Sequence, residues 1–220
     1  MAFSQTQEID LTTASRKVNS TMPAPHSKPS RAAQMPPEER KKQLLRAGVE
    51  CFAIKGIGST KHADLARACK VSVPTVFSYF PNRQALVSAI LDEVGSAVLE
   101  YTVKPAQALA DPAARLAATG PLFTQYTEKE PEYIKVWLMW GMHFAPEIQS
   151  HFRKFETRLI DALAEMIKEG SSLDDPEQDI HDRARVIIAS SAFLAKMVFD
   201  GVSVKRRQAF VAHILAMMVE

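Results

Sequence analysis

Two stretches of the sequence are candidates for catalysis or for metal or phosphate binding. His143, Glu147 and His151 recur every four residues, which on one helix face would present two imidazoles and a carboxylate to a metal ion. Pro146 lies between the first two, and because proline favours the first turn of a helix we expect a new helix there and no metal site. The stretch GIGSTK at 56–61 lacks the spacing of a phosphate-binding loop and a preceding strand. We therefore expect a protein that is not an enzyme, without catalytic residues, a bound metal or a cofactor.

A third stretch, VSVPTVFSYFPNR at 71–83, combines aromatic and hydroxyl side chains in a segment too short for a buried helix of ordinary length. This mixture suits DNA, because hydroxyl and apolar groups can contact base edges while other donors reach phosphates. The residues that offer such groups are Thr75, Phe77, Tyr79, Asn82 and Arg83. We expect Val76 and Phe80 to point into the core.

Basic residues are concentrated in the first third of the chain. Residues 28–83 hold eleven Lys or Arg against four Asp or Glu, a net charge of +7, whereas the whole chain carries only +2. Such a segment attracts a polyanion, since each neutralised phosphate releases counterions. A solvated basic face explains the charge equally well.

The hydrophobic periodicity predicts an all-α chain. Residues 1–36 are rich in Ser, Thr and Pro without periodic apolar positions, which predicts a disordered leader. Helices are predicted at 37–55, 62–69, 73–80, 82–104, 108–127, 131–144, 147–170, 177–200 and 205–219. We expect Lys104 and Pro105 to end the fourth of these. No apolar run suggests a membrane span or a signal peptide, and the two cysteines lack metal-ligand spacing, so a cytoplasmic protein without membrane contact is expected.

Two short helices joined by a tight turn and preceded by a supporting helix have the plan of a helix-turn-helix unit, with 73–80 as its recognition helix. Residues 44–90 resemble the N-terminal domain of the TetR transcriptional regulators in motif spacing. Within that family, KHADLA, VSVPTVFSYFPNR and the later IKVWLMWG are most similar to the quorum-sensing master regulators of LuxR/HapR type. Three positions depart from the usual pattern: Lys61 replaces a Thr, Pro74 an Ala and Phe77 a Tyr.

The resemblance implies a homodimer that binds a near-palindromic operator in double-stranded DNA, controlled by a small ligand or by its own cellular level. It implies a DNA-binding domain at 37–84, a connecting helix at 85–104 and a larger dimerisation and ligand domain at 105–220. The DNA-facing positions carried over are Thr60, Lys61, His62, Ser72, Val73, Pro74, Thr75, Phe77, Tyr79, Asn82 and Arg83. Lys28 and Arg31 of the leader would form an arm in the minor groove.

Two apolar clusters lie in the second half of the chain. One can line a cavity for a small hydrophobic ligand or be plain core: Phe123, Tyr126, Trp137, Met139, Trp140 and Phe144. The other belongs to helices that we expect at the dimer interface, because 186–199 is apolar nearly all round: Val186, Ser190, Phe193, Leu194, Met197, Phe210 and Ile214. The alternative function is an all-α ligand-binding or interaction protein whose basic face binds another acidic partner.

Overall fold

The helices begin where proline or a side-chain cap favours a first turn. The computed structural model describes residues 35–170 and 176–219. The predicted leader up to residue 34, which includes Lys28 and Arg31, lies outside these ranges. The helices are α1 Pro37–Lys55, α2 His62–Cys69, α3 Val73–Tyr79, α4 Arg83–Val98, α5 Lys104–Gln107, α6 Pro112–Lys129, α7 Pro131–Gly141, α8 Pro146–Gly170, α9 Glu177–Phe199 and α10 Val204–Val219. A π-helical turn, Leu99–Val103, joins α4 to α5. The described ranges contain no strand, which confirms the all-α prediction.

The fourth predicted helix ends later than expected. Lys104 and Pro105 do not stop it, because the backbone widens into the π-helical turn and continues to Gln107. In that turn the Lys104 N–H bonds to the carbonyl of Leu99, five residues back. A widened turn tolerates proline, whose ring would clash with the carbonyl four residues back in a regular α-helix. Helix α6 starts at Pro112 and not at the predicted residue 108. The Asp111 side chain caps it by accepting a hydrogen bond from the Ala113 N–H.

The first helices pack directly on the later ones. Residues from Met35 onward form one compact unit, in which α1 and α4 both contact α7. Arg46 of α1 pairs with Glu130 at 3.1 Å, and the Tyr133 hydroxyl lies 3.2 Å from a Glu93 oxygen. Burial, together with the Glu93 carboxylate, raises the pKa of Tyr133. This hydroxyl therefore stays protonated and can donate to Glu93.

The state of the cysteine thiols and the apolar content of the helices are two further properties of the described residues. Cys51 and Cys69 are free, and burial raises the pKa of both thiols, so both stay protonated at neutral pH. Within the described ranges, no helix has both the length and the apolar content that a membrane crossing requires.

Candidate functional site

The turn between α2 and α3 is set by one left-handed residue and one cap. Lys70 has φ of 54°, and the Val71 N–H bonds to the carbonyl of Ala66 at 3.0 Å, which closes the end of α2. Ser72 then caps α3 by accepting from the Thr75 N–H at 3.2 Å. The two helices follow each other after three residues, as a helix-turn-helix requires.

Helix α3 has one buried side and one exposed side. Val76 and Phe80 are fully buried, which confirms their assignment to the core. Phe77 is 44% exposed, and Val73, Pro74 and Ser78 are exposed with it. A seven-residue helix thus presents a mixed apolar and hydroxyl surface while two residues anchor it.

The hydroxyl groups at this surface bond to one another and to the backbone. The Thr75 hydroxyl lies 2.8 Å from the Ser72 hydroxyl, and the Ser78 hydroxyl donates to the Thr75 carbonyl at 2.7 Å. Tyr79 is half-buried against the core. Thr75 is therefore held in place at the start of α3.

His62 lies beneath the exposed side of α3 and not at its surface. It is 8% exposed, and its ring stacks on Phe77 with centroids 4.0 Å apart and planes 6° from parallel. Its Nε2 lies 2.8 Å from the Phe80 carbonyl oxygen. The predicted direct DNA contact does not fit this position, because Phe77 covers the ring.

Three other predicted DNA contacts have structural partners. Thr60 is fully buried, and its hydroxyl donates to the carbonyls of Cys51 and Gly56, so this side chain has no DNA-facing surface. The Asn82 oxygen accepts from the Ala85 N–H and caps α4. The Arg83 guanidinium donates to the carbonyls of Thr60, Ile57 and Gly58 in the α1–α2 turn.

The cations around α2 fall into two groups. Lys55 and Arg67 both pair with Asp64, at 2.6 and 3.5 Å. The Lys55 ammonium and the Lys61 backbone N–H hold the pKa of Asp64 below its usual range. Lys61 and Lys70 are exposed and have no ion pair within the described part of the chain. Their charges are available to phosphate.

The three residues considered for a metal site do not converge. Pro146 starts α8, as predicted, and separates His143 from the other two. His143 Nδ1 accepts from the Ala145 N–H, whereas His151 Nε2 lies 2.7 Å from an Asp92 oxygen. Among the described residues, no three His, Cys, Asp or Glu side chains are grouped to hold a metal ion.

A small cavity of about 60 Å³ lies among α4, the π-helical turn, α6, α7, α8, α9 and α10. Of the six predicted pocket residues, only Phe123 and Trp137 line it. Trp140 packs against Phe152 and Phe155, and Phe144 is 88% exposed. Neither Tyr126, stacked on Tyr101 at 5.1 Å, nor Met139 is among the lining residues. The prediction therefore does not hold for these four, because an aromatic cluster at helical spacing divides among several packing sites.

An exposed apolar surface extends over α9 and α10. Phe193 is 55% exposed, with Val186 exposed on the same helix, and its ring lies 5.5 Å from that of half-buried Phe210. Ile214 and Ser190 are also half-buried. Leu194 and Met197 are buried inside the protomer, so a contact with a second chain is not available to these two.

Comparison with known proteins places these features in one family. The family described as bacterial regulatory proteins, tetR family, matches residues 44–90, which span α1 to α4 and include the whole α2–α3 surface. The helix-turn-helix segment of the chain is thus of the TetR type. It is 30% identical over 115 residues to the HTH-type transcriptional regulator LuxR of Vibrio harveyi, covering 52% of this chain and 56% of the relative. The match thus spans little more than half of that relative's length.

Solved structures share the TetR fold over most of the chain. A TetR-like transcriptional regulator from Rhodococcus sp. RHA1 has a TM-score of 0.68 at 19% identity and covers 82% of this chain and 96% of its own. AibR, solved in complex with isovaleryl coenzyme A and operator DNA, has a TM-score of 0.64 at 16% identity and covers 82% and 98%. At these identities the likeness establishes the fold, an N-terminal helix-turn-helix with a larger helical part.

Proposed function

We propose that this protein is a TetR-family regulator that reads a near-palindromic operator as a homodimer, with α3 in the major groove. The observation that carries the proposal is the exposed side of α3, where Val73, Pro74 and Phe77 project beside the Thr75 hydroxyl. Apolar side chains and hydroxyls of this kind contact thymine methyl groups and base edges. AibR, which shares the fold, was solved with operator DNA.

Lys61 and Lys70 flank the same surface and supply phosphate contacts. Both are exposed and lack an ion pair among the described residues, so bound phosphate would not compete with an internal carboxylate. Ser72 and Tyr79 complete the proposed contact set, and the leader residues Lys28 and Arg31 remain proposed minor-groove contacts. Thr60, His62, Asn82 and Arg83 are left out, because each is buried or bonded within the protomer.

The homodimer is proposed to form through α9 and α10. Exposed Phe193 and Val186, with half-buried Phe210 and Ile214 beside them, form an apolar surface that a second copy would cover. A two-fold axis through this surface would give the two α3 helices the symmetry of a near-palindrome. The match to LuxR of Vibrio harveyi supports a role of the quorum-sensing type.

Control by a small hydrophobic ligand is the second proposal, and the cavity supports it. Its lining is mostly apolar, and the buried indole N–H of Trp137 has no hydrogen-bond partner within the described ranges. Ligand pockets usually exceed about 300 Å³, so at about 60 Å³ the cavity must widen to accept more than a few atoms. A ligand with a hydrogen-bond acceptor would suit the indole group.

Selection of bound duplexes from a random pool, with light scattering of the free protein, tests the main proposal. We expect an enriched near-palindromic site whose half-sites are about one helical turn apart, and a mass of two chains. Binding without sequence enrichment, retained only at low salt, would instead favour the alternative of a basic face for another acidic partner.

A further inference from the structure

His62 is an unusual polar residue in the core of the helix-turn-helix unit. It is the first residue of α2, yet its side chain is buried and reaches across to α3. The imidazole ring of His62 covers one face of the Phe77 ring, and the opposite face of the Phe77 ring belongs to the exposed surface. The side chain that we propose for base contact thus rests on an imidazole from the preceding helix.

A hydrogen bond adds a second attachment. A carbonyl oxygen can only accept, so Nε2 of His62 carries the proton and donates to Phe80 at the C-terminal end of α3. Phe77 and Phe80 lie about one helical turn apart. One imidazole therefore contacts α3 at two points and restricts both its rotation about its axis and the position of its end.

Such support matters because α3 cannot hold its own orientation. Helices shorter than about 12 residues are marginal in isolation, and α3 has seven residues with Val76 as its buried position. Phe80 anchors the end from just outside the helix. Without the imidazole, the Phe77 ring would lose the surface beneath it and could move into the vacated space.

We propose that His62 is a positioning residue of the recognition helix, setting sequence discrimination through Phe77 without touching DNA. The inference rests on the proposed function of α3. A direct contact would require the ring to reach a base or phosphate past Phe77, and a purely structural role would affect folding but not the choice of sequence.

The test measures affinity for the selected duplex and for a scrambled duplex at one salt concentration, and takes their ratio. Partial unfolding lowers both affinities by the same factor, so the ratio reports discrimination alone. We expect Phe77→Ala and His62→Ala each to lower the ratio about tenfold. The double variant should resemble Phe77→Ala alone, because the proposed effect of His62 on discrimination passes through the Phe77 ring.

Two further variants distinguish a positioning role of His62 from a direct DNA contact and from a purely structural role. His62→Phe keeps the stacked ring and loses the hydrogen bond, so it should melt at a lower temperature and recover most of the ratio. Lys61→Ala, the exposed neighbour, is the control: it should weaken both duplexes equally and add independently to Phe77→Ala.

Three results would overturn the proposal. An unchanged ratio for His62→Ala, with a lower melting temperature, would leave His62 a packing residue only. Additive losses in the double variant, with no recovery in His62→Phe, would mean that the imidazole contacts DNA. If the unaltered protein itself shows no difference between duplexes, the proposed function fails, and that outcome is recognised before any variant is compared.

Discussion

Arg83 provides the sharpest test of whether a predicted DNA contact is a structural residue. Its guanidinium donates to three carbonyls of the α1–α2 turn, those of Ile57 at 2.9 Å, Gly58 at 2.6 Å and Thr60. These groups are acceptors in the loop between α1 and α2. Arg83→Ala would leave these three carbonyls either hydrated or without a hydrogen-bond partner.

The magnitude follows from the number and exposure of these bonds. Hydrogen bonds from a charged donor contribute about 1.5–3 kcal/mol each when well buried, and less where water competes. Two of the three sites are part-buried and one is exposed. We expect Arg83→Ala to lower the free energy of unfolding by about 2–3 kcal/mol, or roughly 5–10 °C in melting temperature for a chain of this size.

The assay is denaturant unfolding at fixed protomer concentration together with the salt dependence of DNA affinity. Arg83→Lys is the matched control: it keeps the charge, but an ammonium cannot serve three carbonyls with the planar fork of a guanidinium. It should therefore recover only part of the stability. For both variants we expect the salt slope to match that of the unaltered protein.

The opposite pattern would contradict a structural role for Arg83. That pattern is an unfolding free energy within about 0.5 kcal/mol of the unaltered value, with a salt slope reduced by about 0.9 in Arg83→Ala and restored in Arg83→Lys. Arg83 would then contact a phosphate, and its bonds to the α1–α2 turn would contribute little.

The remaining predictions concern other single positions. Phe193→Glu should give folded monomers by light scattering and circular dichroism, whereas Met197→Glu, which buries a charge in the protomer, should unfold the chain; a dimeric Phe193→Glu would contradict the interface. Lys70→Gly should raise the unfolding free energy by about 0.5–1 kcal/mol, since a left-handed non-glycine residue is strained; no gain in a chemical melt would contradict this. Gly48→Ala should cost about 1–3 kcal/mol, because the added carbon would lie 2.5 Å from Ile90 Cδ1; a neutral effect would mean that α1 and α4 separate easily.

The helix bounds were largely predictable because local signals set them. Pro37, Ser72 and Pro146 each mark a start that the structure places within a residue of the prediction. These signals act through the backbone of the same segment, as caps or as a missing N–H, and so do not depend on the rest of the fold. The prediction that Pro105 ends its helix was wrong, because the π-helical turn that accommodates this proline depends on the neighbouring backbone.

The roles of the polar side chains in the site were not predictable in the same way. The partners of His62 and Arg83 are backbone carbonyls 18 to 26 residues distant in sequence, which no local spacing reveals. The apolar helix α9 posed a related problem. Phe193 and Leu194 are equally hydrophobic neighbours, but the packing of α9 against α6, α8 and α10 decides that the first is exposed and the second buried.

Helix α4 connects the two proposed activities through contacts at both of its ends. At its start, Arg83 holds the turn that precedes α2, while the far end and the π-helical turn contribute Val98, Thr102 and Val103 to the cavity. Between them, Ile90 packs against α1 so closely that Gly48 has no room for a side chain. One way for a ligand to widen the cavity is to displace the far end of α4. Such a displacement would reach the Arg83 contacts, and through them α2 and α3, only where α4 moves as one rigid element.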